Sequence, residues 1–156
     1  MPVDKIPAGY STVTPYLVVK DTAAALAFYA KAFGAEEQMR LNGPGGSVDH
    51  AETKIGDSLV MIGPSMPGKE IAWPQGEQLP SISMLLYVED CETLYAQAIA
   101  AGCESRMEPV DMFWGDRMAK VADPFGHEWS MATHIEDVTQ EECQRRYEAM
   151  LASVDS

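Results

Sequence analysis

A chain of 156 residues is the length of one ordinary domain, and 46% hydrophobic against 22% charged residues supplies enough apolar material for a packed core. Eleven basic residues against 24 acidic ones leave a formal charge of −13, a field that repels nucleic-acid backbones and anionic membrane surfaces alike. No apolar run approaches the roughly 18 residues of a membrane span, and the opening Met-Pro-Val-Asp-Lys lacks an export leader's pattern. Cys91, Cys103 and Cys143 are not spaced as a zinc or redox motif and read as reduced thiols of a cytoplasmic protein.

In chain order, Tyr16-Leu-Val-Val-Lys-Asp21 reads as a short apolar strand ending at a helix N-cap. A helix over Thr22 to Phe33 follows, closed by Gly34. Lys54-Ile-Gly-Asp57 turns into an apolar strand over Leu59 to Ile62. Residues 64–80 are rich in Pro and Gly and read as a linker. The pattern then repeats. Ser83-Met-Leu-Leu-Tyr-Val-Glu-Asp90 is strand and N-cap, Cys91 to Ala101 a helix, and Gly102 its stop. Lys120-Val-Ala-Asp123 turns through Pro124-Phe-Gly126 into a strand over His127 to Ala132. The landmarks Asp21/Asp90, Gly34/Gly102 and Asp57/Asp123 recur at offsets of 69, 68 and 66 residues. This repetition predicts an α+β fold of tandem β-α-β-β-β modules within one domain, over about 11–63 and 81–133. The two modules are expected to form a curved mixed sheet around a cleft. Thr139-Gln-Glu-Glu142 is a capping box that opens a C-terminal helix to about residue 151.

The duplicated strand–Asp–helix–Gly units, with His50-Ala-Glu-Thr-Lys-Ile-Gly-Asp-Ser58, Phe113-Trp-Gly-Asp-Arg117 and Asp123-Pro-Phe-Gly-His-Glu-Trp129, resemble the vicinal oxygen chelate superfamily of glyoxalases, bleomycin-resistance proteins and dioxygenases. The likeness is to its PhnB-like branch and covers nearly the whole chain. It implies a small-molecule ligand in the cleft, a homodimer, and in the enzymes a divalent metal. The metal-ligand positions implied by the resemblance are Thr14 and Ser83, seven residues before each N-cap aspartate, Ser130, seven after Asp123, and a position close to Met61. Three hydroxyls and a thioether suit a catalytic divalent ion poorly, so no cofactor is expected there.

Strand alternation sets Thr14, Tyr16 and Val18 on one face, and Ser83, Leu85 and Tyr87 on the matching face of the second unit. On the resemblance these line the cleft with Met61, Glu128 and Ser130, giving a tyrosine-bearing apolar pocket. The same side chains also suit a cleft filled as core. His50 and Glu52 share a strand face and form a candidate catalytic pair or displaced metal site, although Lys54 on the same face fits a solvated edge equally well. In Phe113-Trp-Gly-Asp-Arg117, Trp114, Asp116 and Arg117 are candidate ligand contacts, with the guanidinium as an anion clamp. The alternative pairs Arg117 internally with Asp116 or Glu108. His127 is expected to support its hairpin, and His134 to be exposed or at a subunit contact. Three functions remain: a metal-independent protein binding a small, partly apolar and anionic ligand; a lyase- or dioxygenase-type enzyme at His50 and Glu52; and a non-catalytic dimeric interaction module.

Overall fold

The structure is a computed structural model that describes residues 3–66, 68 and 71–154. Its first module runs β1 (Tyr16–Val18), α1 (Thr22–Phe33), β2 (Glu36–Asn42), β3 (Val48–Ile55) and β4 (Ser58–Gly63). The second runs β5 (Met84–Tyr87), α2 (Cys91–Ala101), β6 (Glu104–Asp111), β7 (Asp116–Ala122) and β8 (Glu128–His134), and α3 (Gln140–Val154) follows. Both expected helices have the bounds read from their caps. The Asp21 carboxylate accepts from the Ala24 amide at 3.0 Å, and Asp90 does the same for Thr93. Gly34 and Gly102 end the helices at φ 67° and 118°, a left-handed turn that a side chain would strain.

The strands form two four-stranded mixed sheets, ordered β1-β4-β3-β2 and β5-β8-β7-β6. β1 runs parallel to β4 and β5 to β8, and the remaining pairs are antiparallel. In each module the helix covers one face of its sheet. Helices α1 and α2 pack on one another, and a single apolar core joins Leu17, Val19, Leu26 and Ile62 of the first module to Val121, Trp129 and Met131 of the second. The helix-covered faces therefore turn inward, and the opposite face of each sheet turns outward.

Asp123 locks the modules together. Its buried carboxylate accepts from the Tyr29 hydroxyl of α1 at 2.6 Å and from Trp129 Nε1 at 2.9 Å. It also accepts the Phe125 and His127 amides of its own turn. The aspartate read as a turn residue thus serves the turn and the module interface at once. Tyr29 is packed among Phe28, Phe33, Phe125 and Trp129. Burial and the Asp123 charge together push its hydroxyl far above its ordinary pKa, so it stays a donor. His127 supports its hairpin and also crosses the interface, with Nε2 2.9 Å from the Val18 carbonyl oxygen.

Several boundaries differ from expectation. β5 begins at Met84, so Ser83 precedes it, and β8 runs Glu128–His134 rather than over His127 to Ala132; β1 begins at Tyr16 as read, which leaves Thr14 ahead of its strand. The Thr14 hydroxyl turns back to donate to the Ser11 carbonyl at 2.9 Å. Helix α3 runs past residue 151 to Val154, because nothing after Leu151 among the described residues stops a helix. Its N-terminus is capped by the Thr139 hydroxyl, which accepts the Glu142 amide. The helix is tied down by Arg146, which donates to Glu136, Glu142 and the Phe113 carbonyl, and by Tyr147 stacked on Phe113.

Candidate functional site

Two polar clusters stand on the helix-free faces, one in each module. In the first sheet, register places Tyr16, Met61 and Glu52 in one row across β1, β4 and β3. Alternation sends Leu17, Ile62 and Ala51 into the core and leaves the row on the helix-free face. The Tyr16 ring crosses Gly63, whose hydrogen leaves the space that a Cβ would take 2.4 Å from the tyrosine oxygen. That close approach brings the hydroxyl 3.3 Å from His50 Nδ1. His50 Nε2 lies 3.4 Å from Glu52, and the Tyr10 hydroxyl donates to the other Glu52 oxygen. With the His50 proton on Nε2, the imidazole accepts from Tyr16 and donates to Glu52. The His50 and Glu52 side chains are 21% and 15% exposed, so the chain Tyr16–His50–Glu52–Tyr10 is partly shielded from water.

The second face is built differently. Leu85, Ser130 and Lys120 share a row across β5, β8 and β7, and Tyr87, Ala132 and Met118 form the next. Asp116 opens β7 at the far end of this face, its side chain only 5% exposed. It accepts from the Tyr87 hydroxyl at 2.8 Å, Trp114 Nε1 at 3.0 Å and His134 Nδ1 at 2.9 Å. Burial alone would raise the Asp116 pKa; the bonds from His134, Tyr87 and Trp114 outweigh it and hold the carboxyl below its ordinary value. His134 Nε2 lies 2.9 Å from Asp137, so the imidazole spans two carboxylates. Asp137 first, and Asp116 second, raise its pKa above the ordinary value.

The structure thus brings Tyr16, Met61, His50 and Glu52 together on one face, and Tyr87, Trp114, Asp116 and Ser130 on the other. Arg117 joins neither. As the strand neighbour of Asp116 it points to the opposite face, where it binds Asp111 at 2.6 Å and reaches Glu92 of α2 at 3.5 Å. This corrects its reading as an anion clamp beside Trp114: a pleated strand cannot present consecutive residues to one face. Internal pairing does occur, with Asp111 and Glu92 rather than with Asp116 or Glu108. Trp114 is half-buried and spends its N–H on Asp116.

The donors present do not fit a divalent metal. Thr14 and Ser83 lie outside the strands, Met61 offers only a thioether, and Ser130 a neutral hydroxyl. His50 and Glu52 are two ligands without a third, and no cluster of three or more His, Cys, Asp or Glu suited to a metal occurs among the described residues. Burial first, and Asp123 second, push the Cys103 thiol up to about 12.

Sequence reasoning missed Tyr10, Gly63, Lys120 and His134 as members of these faces. His134 and Asp116 are paired in register across β7 and β8, a relation that only the strand alignment exposes. For Gly63 the sole signal is a glycine at the end of an apolar strand, which also suits a plain strand end. Tyr10 lies in an irregular N-terminal segment that no periodicity places.

The glyoxalase/bleomycin resistance protein/dioxygenase superfamily model matches residues 11–131. The chain belongs to that superfamily. An uncharacterised protein of Mycobacterium tuberculosis is 37% identical over 135 residues, which is 85% of this chain and 79% of the relative. Among solved structures, TioX from Micromonospora sp. ML1 superposes with a TM-score of 0.66 at 23% identity, over 80% of this chain and 99% of TioX. The fosfomycin resistance protein FosX of Listeria monocytogenes, solved as a point mutant with Mn(II) and 1S,2S-dihydroxypropylphosphonic acid, has a TM-score of 0.60 at 19% identity, over 88% and 97% of the two chains. At these identities the structural likenesses establish the fold.

Proposed function

We propose that this protein binds a small, partly apolar, anionic molecule on its helix-free sheet faces, without a metal. What carries this reading is the set of side chains at the positions that the family resemblance assigns to the metal. Hydroxyls and a thioether stand there, flanked by exposed Tyr16, Leu85 and Tyr87. Tyrosines held at their hydroxyl ends by Asp116 and His50 are pre-oriented platforms for a ring or chain, which lowers the entropy lost on binding. Tyr87 is 65% exposed and Leu85 45%, so a ligand or a second copy of the chain gains apolar contact by covering them. A homodimer that shields both faces belongs to this reading.

A thermal-shift screen of small amphipathic compounds, run in chelator, tests the proposal. Compounds that stabilise the protein in chelator and lose their effect in Tyr87→Ala are expected. Stabilisation that needs added divalent metal would overturn it.

A second reading, acid–base catalysis, draws on the shielded Tyr16–His50–Glu52–Tyr10 chain, in which Glu52 is oriented by two donors. Turnover of any compound that is lost in His50→Ala would select this reading.

A further inference from the structure

Cations on the described surface fall into two groups. The arginines are spoken for: Arg40 by Glu37, Arg106 by Glu104 and Glu128, Arg117 by Asp111 and Glu92, and Arg145 and Arg146 by Glu142 and Glu136. Lys5, Lys20, Lys31 and Lys54 are exposed and solvated. Lys120 alone among the described lysines is half-buried, and it makes no ion pair or side-chain hydrogen bond with the described residues. It stands on the helix-free face of the second sheet, directly opposite Ser130, with Leu85 next in the row. Ser130 is 6% exposed, and its hydroxyl likewise makes no side-chain hydrogen bond with the described residues.

The carboxylates sharing that face are occupied. Glu128, two residues from Ser130, reaches Arg106 at 3.6 Å. Asp116 is saturated by Tyr87, Trp114 and His134. Partial burial of an unpaired ammonium costs free energy that a counter-anion recovers. In a chain of charge −13 such a position is scarce. We infer that Lys120 and Ser130 form the anion-recognising end of a subsite for a small amphipathic monoanion, a carboxylate or sulfonate, whose apolar body lies along Leu85, Tyr87 and Met118. The ammonium supplies charge, the serine hydroxyl a second donor, and the neighbouring row the apolar contact. This rests on the small-molecule-binding reading and takes over the anion-binding role expected of Arg117.

The test uses two probes that differ in one charge: anilinonaphthalene sulfonate, and phenylnaphthylamine, which has the same rings without the sulfonate. Fluorescence titration of the whole protein is expected to show the sulfonate bound more tightly. Lys120→Met should weaken the sulfonate about tenfold or more and leave the neutral probe within about twofold. Lys120→Arg should retain most of the sulfonate affinity, and Ser130→Ala should lose about threefold of it. Added salt should weaken only the sulfonate on the unaltered protein, a readout that does not depend on any variant folding. Equal effects on both probes, or none on either, overturn the Lys120 subsite and leave the small-molecule reading standing. Failure of both probes to bind the unaltered protein overturns both.

Discussion

The two modules share one backbone plan and carry opposite chemistry on it. In the first, the row across the helix-free face reads Tyr16, Met61, Glu52; in the second, the same row reads Leu85, Ser130, Lys120. A carboxylate in one module thus stands where an ammonium stands in the other. The tyrosines differ as well: Tyr16 crosses Gly63 to reach His50, while Tyr87 donates to Asp116 from one row further along. Duplication fixed what the fold needs, namely the N-cap aspartates, the C-cap glycines and the core faces. The helix-free faces carry no such burden, so their side chains could specialise. One face holds the hydrogen-bonded chain Tyr16–His50–Glu52–Tyr10, and the other a cation beside an oriented tyrosine.

The largest effect is expected where the modules meet. Asp123→Ala leaves the Tyr29 hydroxyl, the Trp129 N–H and two turn amides without their acceptor, so about 3 kcal/mol or more of stability should be lost. Urea denaturation measures it. The turn aspartate of the other module, Asp57, bonds only its neighbour Ser58 among the described residues, and Asp57→Ala should cost well under about 1 kcal/mol. Equal losses for the two would break the contrast.

Next comes the second face. Asp116→Asn should destabilise by about 1–3 kcal/mol and bring the His134 pKa down toward its ordinary value, read by NMR titration. The pH dependence has a definite sign. His134 has a raised pKa, so its contribution is present below about pH 6.5 and fades as pH climbs through its folded value. Asp116 has a lowered pKa, so its contribution is present above its ordinary 3.8 and fades as pH falls. The deficit of Asp116→Asn should therefore be greatest between these limits and shrink at alkaline pH.

Smaller again is the first face. Gly63→Ala puts a methyl where the Tyr16 hydroxyl lies, costing about 1 kcal/mol and shifting the His50 ring resonances. The smallest effect is expected of Arg117→Ala: its pairs with Asp111 and Glu92 are exposed and screened by solvent, so stability should change little and ligand binding should be unchanged. Loss of binding in that variant would restore the arginine to the site.

Much of the architecture is legible because caps and alternation are local signals. Asp21, Gly34, Asp90 and Gly102 mark helix ends within a few residues of sequence, and the repeat offsets expose the duplication. The placement of Tyr16, Met61, Tyr87 and Ser130 on the helix-free faces follows from period-two alternation in the strands that carry the helix-packed residues. Arg117 is misread when its motif is treated as one unit, because Asp116 and Arg117 must face opposite ways. The Asp116–His134 pair, and Lys120 beside Ser130, depend on register between β7 and β8, which a single strand does not encode.

The most direct test of metal-independent binding is elemental analysis of the purified protein, repeated after incubation with Mn, Fe, Co, Ni or Zn and desalting. The donor set predicts that far less than one metal per chain is retained, with ligand binding unaltered by chelator. Near-stoichiometric retention of one metal, lost in His50→Ala or Glu52→Gln, would contradict it.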